Sequence, residues 1–219
     1  MSEKEFTPAA GYAALTPLYD LSIGLLTRED IWRSALLKQV APADADRVLD
    51  VGCGTGSLAI RIKLLSPKTE VHGIDPDSEI LRRAHTKAAK KGADISFHQG
   101  FLAPKSVSEL GRFTKVVSSL VFHQTPLVEK KNILNSITKI LEPNGRLYVA
   151  DYGLQRTALM KMLFRRTIQI IDGYDDTQPN AEGCLPKLME EVGFINVSEV
   201  KVVPTITGSI SIYVASMAG

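Results

Sequence analysis

The chain has 219 residues, 44% hydrophobic and 23% charged, with a formal net charge of +2. These values suit a globular domain with room for a substantial core, and they exclude collagen-like, low-complexity and disordered chains. The small net charge gives no electrostatic ground for nucleic-acid binding, and the clusters Lys87/Lys90/Lys91 and Arg165/Arg166 read as solvated helix faces. Cys53 and Cys184 cannot supply a zinc quartet and are read as reduced, so no metal site is expected and the location is expected to be cytoplasmic. The start is polar and charged, unlike a secretory leader, and no apolar run reaches the length of a membrane span.

Residues 1–10 are polar. Aromatic and aliphatic residues return from Gly11 to Leu26, where Pro17 interrupts any long helix. Ile31, Trp32, Ala35, Leu36 and Val40 keep helical spacing, with Asp30 or Thr27 as the cap. Residues 1–40 are therefore expected to form a helical cover on a domain spanning 41–219. After a turn at Pro42, Val48, Leu49 and Val51 suit a strand buried on both faces.

Gly52, Gly54 and Gly56 then remove three Cβ atoms within five residues, so the backbone turns tightly and a ligand can lie against it. Leu58, Ala59, Ile62 and Leu65 open a helix whose free N–H groups face that ligand. The loop lacks the terminal Gly-Lys-Ser/Thr of a P-loop. It is G-x-G-x-G rather than the dinucleotide G-x-G-x-x-G, with an acid, Asp50, two places before the first glycine.

Further strands are expected over Glu70–Asp75, Asp94–His98, Phe113–Val121 and Arg146–Ala150, with helices between them. An amphipathic helix is expected over 156–171 and a loop over 172–180. A helix ending at Gly193 follows, then strands Phe194–Val203 and Thr205–Ala215 with Pro204 at the bend. Alternation of strand and helix over about 100 residues calls for a doubly wound parallel α/β sheet with right-handed crossovers.

Asp-Val-Gly-Cys-Gly-Thr-Gly (Asp50 to Gly56) resembles the first motif of class I S-adenosylmethionine-dependent methyltransferases. The end of the fourth strand, Ser118-Ser119-Leu120-Val121-Phe122-His123, is similar to that of the ubiquinone/menaquinone-biosynthesis C-methyltransferase type. The resemblance covers residues 12–155 well and the rest in outline. It implies a Rossmann-like, mostly parallel seven-stranded sheet with an antiparallel last strand, and S-adenosylmethionine as cofactor.

Carried over position by position, the resemblance implies a cofactor site of Asp50, Gly52, Cys53, Gly54, Gly56, Asp75, Pro76, Gly100, Phe101, Leu102, Ser118 and Tyr19. Asp75, ending the second strand, would accept hydrogen bonds from the ribose hydroxyls, or else cap the next helix at Asp77 or Ser78. Asp50 would hold the methionine end of the cofactor, or only brace the turn. Many family members have an acid just after the glycine corresponding to Gly100, where Phe101 stands here; adenine recognition would then fall to backbone N–H groups and ring packing. Ser118 would lie against the methionine part through its carbonyl.

His123 and Tyr152 face the expected cleft and are the catalytic candidates. A histidine titrates near neutrality and can take a proton or orient a phenol. The plainer alternatives are a histidine bonded to the loop before Pro126 and a packed lid tyrosine. Tyr12, Tyr19 and Trp32 either cover the cofactor or fill the core.

The chemistry implied is direct methyl displacement onto a small-molecule, aromatic or lipid-like acceptor held in line with water excluded. The insertion at 156–178 is expected to roof an apolar acceptor pocket; a homodimer face and a weak membrane-surface contact are its alternatives. Protein or RNA methylation, a non-catalytic cofactor-binding protein and a dehydrogenase remain the competing functions, although the Asn-Pro-Pro-Tyr motif of amino-methylating enzymes is absent.

Overall fold

Runs of β-branched residues alternate with helix-phased apolar residues, and strand pairing gathers the former into one sheet. The computed structural model describes residues 28–103 and 109–219. The strands are β1 (Arg47–Val51), β2 (Glu70–Asp75), β3 (Ser96–Gln99), β4 (Phe113–Ser119), β5 (Leu141–Tyr152), β6 (Ile195–Thr205) and β7 (Gly208–Ser216). The helices are α1 (Glu29–Val40), α2 (Ser57–Leu65), α3 (Ser78–Lys91), α4 (Leu127–Ile140), α5 (Ala158–Arg166), α6 (Ile168–Asp172), α7 (Tyr174–Ala181) and α8 (Cys184–Glu191). A 3-10 turn spans Phe122–Gln124.

The seven strands lie in the order β3-β2-β1-β4-β5-β7-β6. β1 to β5 pair in parallel, and β7 runs antiparallel to both β5 and β6. Strand order reverses between β1 and β4, where an open α/β sheet leaves a crevice at its carboxyl edge. Val51 pairs with both Ile74 and Ser118, so the tips of β1, β2 and β4 end in one row beside that crevice.

Each strand residue faces one side of the sheet, and each side has its own helices. Trp32 and Leu36 of α1 and Leu58 and Ile62 of α2 cover Val48, Val71, Val117 and Tyr148. Leu134 and Ile137 of α4 and Leu185 and Met189 of α8 cover Leu49, Val116, Leu147 and Val149. Each such buried aliphatic side chain contributes about 1.5–3 kcal/mol relative to exposure.

The predicted sheet and terminal hairpin are what the chain forms; several local expectations are corrected. Arg28, in a left-handed conformation and without a side-chain cap bond, precedes α1. Asp30 instead lies inside the helix and bonds Arg61 (2.7 Å), while Thr27 lies outside the described residues. The expected single helix over 156–171 is broken at Thr167 into α5 and α6.

The expected loop at 172–180 is largely helix α7, despite Pro179 inside it. Asp175 and Asp176 favour its N-terminal dipole, and the Asn180 side chain donates to the Tyr152 carbonyl (2.9 Å), anchoring the last turn. Pro204 is not at the bend: it lies within β6 and pairs with Ser209, while Ile206 and Thr207 make the turn. β6 is an edge strand, where the missing N–H of a proline costs no ladder bond.

Candidate functional site

Three tips build the site. At the end of β1 the chain leaves the sheet through Gly52 (φ 69°) and Gly54 (φ 52°), both in the left-handed region that side chains disfavour. A Cβ on Gly52 would stand 2.3 Å from Val121 Cγ2, so this glycine exists to let the β4 tip approach. A Cβ on Gly54 would meet nothing within 4 Å; it would project into open space. Gly56 is the N-cap of α2, which has no side-chain cap bond. The buried Cys53 thiol is raised by desolvation, so it stays protonated and unreactive.

Asp75, at the tip of β2, binds backbone on both sides of the turn. Its Oδ2 accepts the Gly54 N–H and its Oδ1 the Asp77 N–H, each at 3.0 Å. Asp77 itself caps α3 by accepting from Glu79 and Ile80. Burial raises the Asp75 carboxyl above the ordinary range, against the pull of those two amides.

Asp50 stands apart. It is 1% exposed, and neither carboxylate oxygen accepts a hydrogen bond. Burial pushes its carboxyl up to about 7, against the opposing pull of the Arg33 charge and the Ala59 amide. A buried polar group without a partner is costly unless something else meets it.

The strand β3 leads to Gly100, whose N–H donates to the Asp75 carbonyl (3.0 Å). Phe101 is 60% exposed and Leu102 is buried. Pro76 is partly exposed and begins the turn into α3. Ser118 is fully buried and its hydroxyl donates to the Val51 carbonyl (2.9 Å), tying β4 to β1. Tyr12 and Tyr19 lie outside the described residues. Trp32 is a fully buried core residue.

At the tip of β4 the non-glycine Leu120 adopts φ 57°, a strained conformation that turns the chain sharply. The turn aims three successive amides at Asp151. Its Oδ2 accepts from Val121 (2.9 Å) and Phe122 (2.7 Å), and its Oδ1 from Tyr152 (2.8 Å) and, at 3.3 Å, His123. The His123 ring adds a further bond, Nδ1 to Asp151 Oδ1, at 2.8 Å, and its Nε2 faces Asp172 Oδ2 at 3.4 Å. Burial disfavours the ring's charge, but Asp151 and then Asp172 outweigh it and raise His123 to about 9. Held in this way, the imidazolium has no free lone pair with which to take a proton.

Tyr152 meets the His123 ring edge-on, with centroids 5.0 Å apart, and Phe164 of α5 on its other side at 5.2 Å. Its hydroxyl bonds Thr207 Oγ1 at 2.7 Å. A cleft of about 360 Å³ lies within the insertion, among α5, α6 and α7, lined by Leu154, Phe164 and Tyr174 but also by Lys161, Arg165 and Gln169. Its lining is thus mixed rather than apolar. Among the described residues no group of three metal-ligating side chains converges, and no helix is long and apolar enough to cross a membrane.

Sequence reasoning missed Asp172, Lys130 and Leu120. Lys130 lies four residues before Leu134 and seven before Ile137, in phase with the buried face of α4, which was a readable sign that a lysine is buried there. Asp172 was hidden by the expectation of a loop. Nothing in residue type announces the left-handed turn at Leu120.

The sheet order, the glycine turn at the tip of β1 and the acid at the tip of β2 define a Rossmann-like domain of the class I methyltransferase fold. The chain belongs to the methyltransferase domain family, whose model matches residues 42–184. It is 29% identical over 153 residues to the ubiquinone/menaquinone biosynthesis C-methyltransferase of Syntrophotalea carbinolica, covering 69% of this chain but only 63% of that relative. It is 27% identical over 189 residues to the demethylmenaquinone methyltransferase of Thermus thermophilus, covering 82% of this chain and 83% of the relative. The magnesium protoporphyrin IX methyltransferase of Synechocystis, solved with bound SAH, shares the fold with a TM-score of 0.65 at 19% identity, covering 91% of this chain and 86% of that one.

Proposed function

We propose that the chain transfers a methyl group from S-adenosylmethionine to a small-molecule acceptor, aromatic or lipid-like, by direct displacement. The observation that carries this reading is the Asp50 carboxylate: buried, without a hydrogen-bond partner, and two residues before a turn whose central glycine faces open space. A donor set of one unpaired carboxylate and bare main chain fits a cationic amino-acid group attached to a nucleoside.

Asp50 would hold the ammonium, and the open surface at Gly54 would let the methionine part lie against the backbone. Each Asp75 oxygen spends one lone pair on an amide and retains one for a ribose hydroxyl. Leu102 and Phe101 would flank the adenine, and Ser118, its hydroxyl spent on Val51, would contribute through its carbonyl. When bound, the cofactor supplies a methyl carbon made electrophilic by the sulfonium. The protein then needs only to orient the acceptor and exclude water. The quinone-pathway names of the two relatives above support an acceptor of that size and character. His123 orients rather than deprotonates, because both its ring nitrogens face carboxylates.

The test is incubation of the full chain with methyl-labelled S-adenosylmethionine and a panel of reduced quinones and phenols. Label in an organic-extractable product supports the reading. Label in added protein or RNA, or binding without transfer to any acceptor, replaces it.

A further inference from the structure

Two buried cations, His123 and Lys130, join the insertion to the tip of β4. Lys130 is fully buried on α4, and its ammonium donates to the carbonyls of Phe122 and Thr125 in the β4–α4 loop and of Asp176 in α7, the last at 2.8 Å. His123 bridges Asp151, at the end of β5, to Asp172, the last residue of α6. The other Asp151 oxygen, Oδ2, accepts from the Val121 and Phe122 amides, and the Val121 side chain fills the space that a side chain on Gly52 would need. An unbroken line of contacts thus runs from the insertion to the glycine turn. It passes from Asp172 through His123, Asp151 and Val121 to Gly52.

We propose that Asp172, His123 and Asp151 are positioning residues forming a relay that locks the α6–α7 insertion to the β4 tip and, through Val121, sets the shape of the glycine turn. The insertion is then a fixed wall of the cleft rather than a swinging lid, and loosening it reaches the cofactor side. Packed elements joined by short polar contacts shift together rather than deform separately, so a change at Asp172 is felt at Gly52. Asp151 and Asp172 face the two nitrogens of the His123 ring, Tyr152 packs edge-on against that ring, and Lys130 feels the charges of Asp151 and Asp176. Desolvation pulls Lys130 below its ordinary range, but its three carbonyl partners hold it without a carboxylate. The relay rests on the methyl-transfer reading only in taking the glycine turn as the cofactor seat.

The test uses the full chain, wild type, Asp172→Asn and His123→Gln. The His123 ring signal is identified among the four histidines by its loss in His123→Gln. In the wild type it should titrate at about 9, and in Asp172→Asn at a lower pH. Amides of 168–181 should exchange faster in both variants than in wild type at neutral pH, while those of α3 stay unchanged. Asp172→Asn should also weaken S-adenosylhomocysteine binding by about fivefold or more. A wild-type His123 titrating near the ordinary 6.5, unchanged exchange at 168–181, or an unchanged dissociation constant in Asp172→Asn would each overturn the relay. A wild type that binds no S-adenosylhomocysteine removes the functional reading instead, and the titration and exchange then decide the lock between insertion and strand tip on their own.

Discussion

The Gly54 N–H donates to Asp75 Oδ2 at 3.0 Å, so the acid on the second strand shapes the turn that ends the first. Asp75 is thereby structural and, on the proposed reading, cofactor-binding at once. Asp75→Ala should cost about 1–3 kcal/mol of stability from two unsatisfied amides. It should weaken S-adenosylhomocysteine binding by about 10–100-fold, the worth of hydrogen bonds to a charged acceptor. Thermal unfolding and calorimetry read the two effects; full affinity in a folded variant would remove the ribose assignment.

Asp50→Asn and Asp75→Ala should change the stability of the ligand-free protein in opposite directions. The folded-state carboxyl of Asp50 stands near 7, above its ordinary value. Its burial therefore subtracts stability as pH rises from about 4 to 7, and the loss is complete above that window. Asp50→Asn should stabilise the ligand-free protein at pH 7.5, by up to about 4 kcal/mol, and leave it unchanged near pH 4. The same variant should lose cofactor binding. Denaturant unfolding at the two pH values checks the sign.

Gly52 and Gly54 separate fold from binding. Gly52→Ala drives a Cβ into Val121 and should destabilise the protein beyond the about 1–2 kcal/mol of left-handed strain. At Gly54 an added Cβ meets nothing within 4 Å, so Gly54→Val should cost chiefly left-handed strain, larger for a β-branched side chain, yet abolish cofactor binding. A folded Gly54→Val protein that binds normally would place the cofactor elsewhere.

His123 gives the alkaline limb. Its folded value, about 9, lies above the unfolded one, so its contribution is fully present below about 6.5 and is lost as pH rises through 9. The size is of the order of 3 kcal/mol. Wild type should lose that much between pH 6.5 and 10, and His123→Gln should show a flatter profile over the same range.

The sheet was legible because its signals are local: β-branched runs, three glycines in five residues, and helix-phased apolar positions between them. The place of Asp75 at the end of β2 was legible for the same reason. The partner set of His123 was not, since Asp151 and Asp172 are 28 and 49 positions away and meet it only through the packed insertion. Helix α7 was hidden by Gly173 and Pro179, whose local breaking tendency is overridden by tertiary anchors at Asn180 and Asp176. Pro204 misled because edge position, which excuses a proline inside a strand, depends on the sheet order.

The unpartnered Asp50 carboxylate is best tested by titrating S-adenosylhomocysteine into wild-type protein at pH 7 in two buffers of different ionisation enthalpy. An arriving ammonium should pull the Asp50 carboxyl well below 7, giving saturable heat and release of about half a proton per site. A flat isotherm with folded protein, or binding with no proton released, would contradict the account.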